Sequence, residues 1–207
     1  METVAVDLSP LLSGASALYR TFPDEPARTV ADRLSALASA GAFLDAPSLT
    51  SPPAPPLPAS AFLGPALTAA DRLPLTGSIP ADPALLPWEE GTKEMPAHFK
   101  SRYMFCTLVG PDAPVAAEDF YFGLYLQSPE ADYPPHAHAA EEFYVVLSGH
   151  AGWEKNRDGH IVLPPGSLIR HAPDQWHAMR TAGDPLLALW IWTGDLSNET
   201  YRLIETA

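Results

Sequence analysis

Six residues between positions 133 and 177 have side chains whose types and spacing could do chemistry together: Tyr133, His136, His138, Glu142, Tyr144 and His177. In an extended segment successive side chains alternate sides, so His136 and His138 point to one face, and Glu142, Tyr144 and Val146 share a face of the strand that follows. A turn at Ala139 and Ala140 would fold that strand back beside the first, bringing two imidazoles, a carboxylate and a phenol to one point. The turn Leu163, Pro164, Pro165, Gly166 then leads to Gln175, Trp176 and His177, which open another strand and make His177 the natural third imidazole. Such nitrogen and oxygen donors suit one divalent transition metal, Fe(II), Mn(II), Zn(II), Ni(II) or Co(II), and the spacing does not choose among them. Glu141 faces away from Glu142, and His98, His150, His160 and His171 lack the spacing and are expected in surface or turn roles. Trp153 and Trp176 are assigned to the core.

The elements that position these residues are short strands. From about Ser101 aromatic and β-branched runs alternate with turn signals, and strands are expected near 101–109, 119–127, 142–148, 151–156, 160–163, 167–170, 176–181 and 186–193. Gly110-Pro111, Ser148-Gly149, Asp158-Gly159, Pro165-Gly166 and Ala182-Gly183 supply the breaks. Upstream, residues 9–45 read as two helices, the first starting with Ser9 as cap and Pro10 behind it, the second at Asp24, Glu25 and Pro26. Val30, Leu34, Leu37, Gly41 and Leu44 form one apolar stripe on the second helix, suited to a lid, or to a homodimer face. Five of the eight residues from Ser51 to Pro58 are proline, which predicts a semi-rigid extended connector. One helical turn is expected at 68–73 and irregular structure at 83–97. The chain thus divides into a helical cap with connector, 1–100, and a β-domain, 101–207.

The pattern His136-x-His138-x3-Glu142-x6-Gly149, followed by a Pro-x-Gly turn and a later His177, resembles the two motifs of cupins. The resemblance implies a mainly β fold, a double-stranded β-helix or jelly-roll barrel with an N-terminal helical cap. Cupins usually carry glycine six positions before the first histidine, where this chain has Glu130. With Tyr144 two residues after the glutamate and Tyr133 five before the second histidine, the chain is similar to the cupin-type, DddQ-like dimethylsulfoniopropionate (DMSP) lyases. That likeness implies His138, Glu142, His177 and Tyr144 around the metal, His136 as an additional or alternative ligand, and Trp192 lining the substrate pocket.

What the resemblance implies chemically is a metal-dependent carbon–sulfur lyase, with Fe(II), Zn(II) or Mn(II) as cofactor, that splits DMSP into acrylate and dimethyl sulfide by β-elimination. Tyr144 is the expected base, and Tyr133 an alternative base or an anchor for the substrate carboxylate. Trp190 and Trp192 share a face of the last strand, where an indole could hold the sulfonium by cation–π attraction of about 0.5–2 kcal/mol. Related cupins offer isomerisation or Fe(II)-dependent dioxygenation of another small carboxylate, or ligand binding without catalysis.

Composition narrows the partners. With 25 acidic against 12 basic residues the formal charge is −13, a field that repels phosphate backbones and anionic lipid, so neither nucleic acid nor membrane is expected and a cationic or zwitterionic substrate is favoured over a polyanion; the small zwitterion is what the resemblance implies. The single cysteine, Cys106, reads as a buried strand residue. The first ten residues lack a basic region and a long apolar stretch, and the apolar run Leu186–Trp192 is too short to span a bilayer. A cytoplasmic protein is the expectation.

Overall fold

The structure, a computed structural model, describes residues 4–46, 56–70, 72–91 and 95–203. Most of the proline-rich connector, residues 51–55, lies outside the described residues.

The chain begins with strand β1 (Val4–Asp7), helix α1 (Ser9–Tyr19), helix α2 (Glu25–Ala40) and strand β2 (Phe43–Ala46), which pairs antiparallel with β1. Ser9 is not the cap of α1; Leu8 occupies that position, and the Ser9 hydroxyl instead accepts from the Ala42 amide at 3.1 Å, tying the helix start to the entrance of β2. The start of α2 is as expected: Asp24 caps it by accepting from the Ala27 amide at 2.7 Å, with Pro26 in the first turn. The second helix ends sooner than its apolar spacing suggested. Gly41, at φ +84°, terminates α2, and Leu44 belongs to β2. Of the apolar stripe, Val30, Leu34 and Leu44 are buried within the chain, Leu37 is partly buried and Gly41 is exposed. Helix α3 (Leu63–Ala69) replaces the helical turn expected at 68–73.

The remaining strands are β3 (Trp88–Glu89), β4 (Tyr103–Gly110), β5 (Val115–Ala116), β6 (Phe120–Gln127), β7 (Asp132–Ala137), β8 (Ala140–Ser148), β9 (Ala151–Lys155), β10 (His160–Leu163), β11 (Leu168–His171), β12 (His177–Thr181), β13 (Leu186–Gly194) and β14 (Arg202–Leu203). All eight expected strands are present, each within two residues of its anticipated bounds. They form two sheets, β10-β9-β12-β7-β14 and β11-β8-β13-β6-β4-β3, with β5 pairing β4 in parallel. The arrangement is that of a jelly roll whose sheets are not closed into a continuous barrel.

Alternation along the larger sheet divides the core in two. Phe143, Val145 and Leu147 of β8, with Leu187, Leu189 and Ile191 of β13, face outward into one cluster with Leu11, Leu12 and Leu34 of the helices. Cys106 is buried in that cluster, as expected. Tyr144 and Val146 of β8, with Trp190 and Trp192 of β13, face inward into a second, aromatic cluster. The helical cap therefore backs the outer face of the sheet and is not a lid over its interior.

The two motif positions with unusual backbone fit this frame. Gly149, at φ +82°, turns β8 into β9 so tightly that a Cβ there would lie 2.1 Å from the Pro185 carbonyl oxygen. Glu130, where cupins usually have glycine, adopts φ +52°, so the left-handed turn persists in a residue that bears the steric cost of its Cβ.

Candidate metal centre

The first imidazole–carboxylate set forms across the two sheets rather than within a hairpin. The link His138–Ala139 carries the chain from β7 in the smaller sheet to β8 in the larger, so β7 and β8 do not pair as the folded-back strand was expected to. β7 pairs instead with β12, which places His177 opposite His136. On the other sheet Glu142 has Trp192 of β13 on one side and His171 of β11 on the other. The space between the sheets thus receives His136, His138, Glu142 and His177, all buried, each offering one donor atom within 4.8 Å of the others.

The hydrogen bonds of the three imidazoles settle their tautomers. Nδ1 of His136 lies 2.9 Å from the Pro134 carbonyl, Nδ1 of His138 3.0 Å from that of Ala140, and Nδ1 of His177 2.7 Å from that of Gln175. A carbonyl can only accept, so each Nδ1 donates, and in the neutral ring Nε2 is left with a bare lone pair. Among the described residues Nε2 of His138 and His177 have no hydrogen-bond partner, although they come within 3.4 and 3.1 Å of Oε2 of Glu142, which has none either. Lone pairs at that separation repel unless a cation lies among them. The donor set therefore fits a divalent metal, and the backbone carbonyls are the orienting partners that metal-binding histidines require. The other carboxylate oxygen of Glu142 accepts from Nε1 of Trp192 at 2.7 Å, which leaves Oε2 to the centre.

A cavity of about 390 Å³ opens from this cluster and is lined by six of the chain's seven tyrosines, with Phe105, Trp190 and Trp192. Tyr144 lies on this wall, its ring 5.8 Å from that of Tyr125 and 5.1 Å from that of Trp153. Burial, then the negative charge of Glu142, raises its phenol well above the ordinary tyrosine value. Tyr133 is stacked between Phe99 at 4.7 Å and His136 at 4.2 Å, and its hydroxyl is 3.0 Å from that of Tyr201.

A family model for dimethylsulfoniopropionate lyase matches residues 27–188. The chain belongs to that family. A protein assigned as the dimethylsulfoniopropionate lyase DddL of Cereibacter sphaeroides is 33% identical over 89% of this chain and 81% of its own length. The dimethylsulfoniopropionate lyase DddQ of Ruegeria pomeroyi is 35% identical over 48% of this chain and 50% of its own length. The solved structure of that DddQ aligns over 92% of this chain and 95% of its own at a TM-score of 0.62 and 28% identity. A structure solved in work on the DMSP lyases RdDddP and RnDddQII aligns over 96% and 97% with a TM-score of 0.69 and 25% identity.

Within this family member the fold gathers all of the residues singled out from sequence: four donors at the centre, and Tyr133, Tyr144 and Trp192 on the cavity wall. His171 is the clear correction. Expected at the surface or in a turn, it is fully buried and stacked on His177 at 4.0 Å and 12°. Burial, then the charge of His177, lowers its imidazole well below the ordinary histidine value. Strand parity could have found it, since Ile169 and His171 share a face of β11 and the expected strand stopped one residue short. Tyr201, which stacks 5.2 Å from His136, has no comparable signal in the sequence, because it follows a 3-10 turn at Asn198–Thr200 with no periodic pattern around it.

Proposed function

We propose that this site cleaves DMSP by β-elimination. Atoms and charge balance as follows: a base removes the proton next to the substrate carboxylate, the carbon–sulfur bond breaks with its electron pair leaving on sulfur, and acrylate, dimethyl sulfide and one proton result. The observation that carries the reading is the set of buried, unpartnered Nε2 and carboxylate atoms at the end of an aromatic cavity, in a chain of the DMSP lyase family.

The residues that would hold the metal are His136, His138, Glu142 and His177. When bound, a divalent Fe, Zn or Mn ion would act as a Lewis acid toward the substrate carboxylate and favour the ionised form of a neighbouring phenol. Tyr144 is the base: it lies two residues beyond Glu142 on the same face of β8, and its Oη takes the α-proton. Tyr133, clamped by ring stacking and joined to Tyr201, anchors the carboxylate. Trp192, with Trp190 beside it at 6.1 Å, presents the indole face that suits a sulfonium. The division into cap and connector, 1–100, and β-domain, 101–207, and a cytoplasmic location are part of this proposal. The location rests on a chain whose one cysteine is buried and unpaired.

The test is headspace detection of dimethyl sulfide after DMSP is added to protein stripped of metal and reloaded separately with Fe(II), Mn(II) and Zn(II). Metal-dependent release is expected. In the same assay Tyr144→Phe should keep its metal and lose at least about a hundredfold in turnover, the range of general acid–base contributions. No release with any of the three metals would exclude the lyase reading, and full turnover in Tyr144→Phe would exclude that residue as base.

A further inference from the structure

Each ligand imidazole has an aromatic plate against it. Tyr133 lies 4.2 Å from His136 and Trp192 4.3 Å from His138, and the plate on His177 is His171, at 4.0 Å and nearly parallel. The first two plates also use a polar atom, Tyr133 on Tyr201 and Trp192 on Glu142. His171 is different, since both its ring nitrogens are buried and neither has a partner among the described residues. A buried nitrogen left unsatisfied costs about 1–3 kcal/mol, and an aliphatic residue in a β-strand would avoid that cost. An imidazole is therefore tolerated here for what its ring does.

That ring does not belong to the donor set. Its nitrogens are not among the atoms that lie within 4.8 Å of one another, and a ring stacked face to face on His177 lies beside the plane into which Nε2 of His177 projects. The Nδ1 hydrogen bond to Gln175 fixes one end of the His177 ring and leaves its tilt about that bond to be set by what touches its faces. His136 meets His177 at 63°, in the edge-to-face range, so His171 is the parallel contact. Pairing of β11 with β8 places His171 opposite Glu142, so one strand register holds the plate beside two of the four donors.

We propose that His171 is a positioning residue of the metal centre, the stacked ring that sets the plane of His177 and so the aim of its Nε2. The inference rests on the metal-site reading above, and the test separates the two. Cobalt(II) is titrated into metal-stripped wild type, His171→Ala and His171→Phe, read by visible d–d absorption, with circular dichroism of each stripped protein as the control for folding. His171→Ala should bind cobalt about 10–100-fold more weakly, the effect usual for outer-shell partners, with a changed d–d band. His171→Phe, which keeps a flat ring, should stay within severalfold of wild type. Wild-type affinity and spectrum in His171→Ala, or equal losses in both variants, would overturn the positioning role. Absence of cobalt binding by the wild type would overturn the metal site itself. Should His171→Ala fail to fold, His171→Phe still decides: a loss of tenfold or more in a folded protein contradicts the stacking role, and retained affinity supports it.

Discussion

At the scale of single residues the site is defined by which polar atoms already have partners and which do not. Every Nδ1 of the three ligand histidines is bonded to a main-chain carbonyl, and the Nε2 atoms of His138 and His177 have no hydrogen bond to any of the described residues. The same division holds for Glu142, where Trp192 takes one oxygen and leaves the other to the centre. This makes Trp192 more than a pocket wall. Trp192→Phe keeps an aromatic face for the sulfonium but removes the indole donor, freeing the carboxylate to rotate. The expected result is a roughly tenfold weaker zinc affinity in competition with a chelating indicator, with little change in circular dichroism. Unchanged affinity would show that the 2.7 Å contact does not orient the ligand.

At the scale of elements, strand parity separates two tasks. The outward residues of β8 and β13 anchor the helices, while the inward ones build the cavity, so stability and chemistry can be perturbed independently. Leu34 on α2 is fully buried on the outer side, and Leu34→Ala should cost about 2–5 kcal/mol of folding stability, measured by urea denaturation. Its DMSP turnover well below the melting temperature should match wild type, because none of α1, α2 or α3 lines the cavity. A large fall in kcat without a fall in stability would mean that the helical layer communicates with the site.

At the scale of the whole molecule, the centre joins the two sheets. His136, His138 and His177 lie on or next to strands of the smaller sheet and Glu142 lies on the larger, so a bound ion cross-links them. Such an ion stabilises the folded chain by mass action, about 2.7 kcal/mol when free metal is a hundredfold above its dissociation constant. Thermal unfolding should therefore shift upward on zinc addition, and His177→Ala should abolish the shift. An equal shift in that variant would place the ion elsewhere. The net charge of −13 acts at the same scale, favouring release of the anionic product acrylate over its retention.

Much of this protein was legible in the chain itself. Turn residues and alternating aromatics located eight strands because local propensity and half-burial act within a few residues, and Asp24 announced α2 because capping is equally local. The ligand set was legible for the same reason: the spacing from His136 to Glu142 spans one strand end, one link and one strand start. What tertiary structure decided was which strands became neighbours. The motif's short spacing suggests a hairpin between its two halves, whereas the chain crosses between sheets at His138 and the pairing partners come from β12 and β13, far along the chain. His171 and Tyr201 join the site only through that long-range pairing, the one through β11 against β8 and the other through β14 against β7. Alternation along β11 holds a local signal for His171, but no local pattern spans the 65 positions between His136 and Tyr201, so that side chain became visible only once the sheets were assembled.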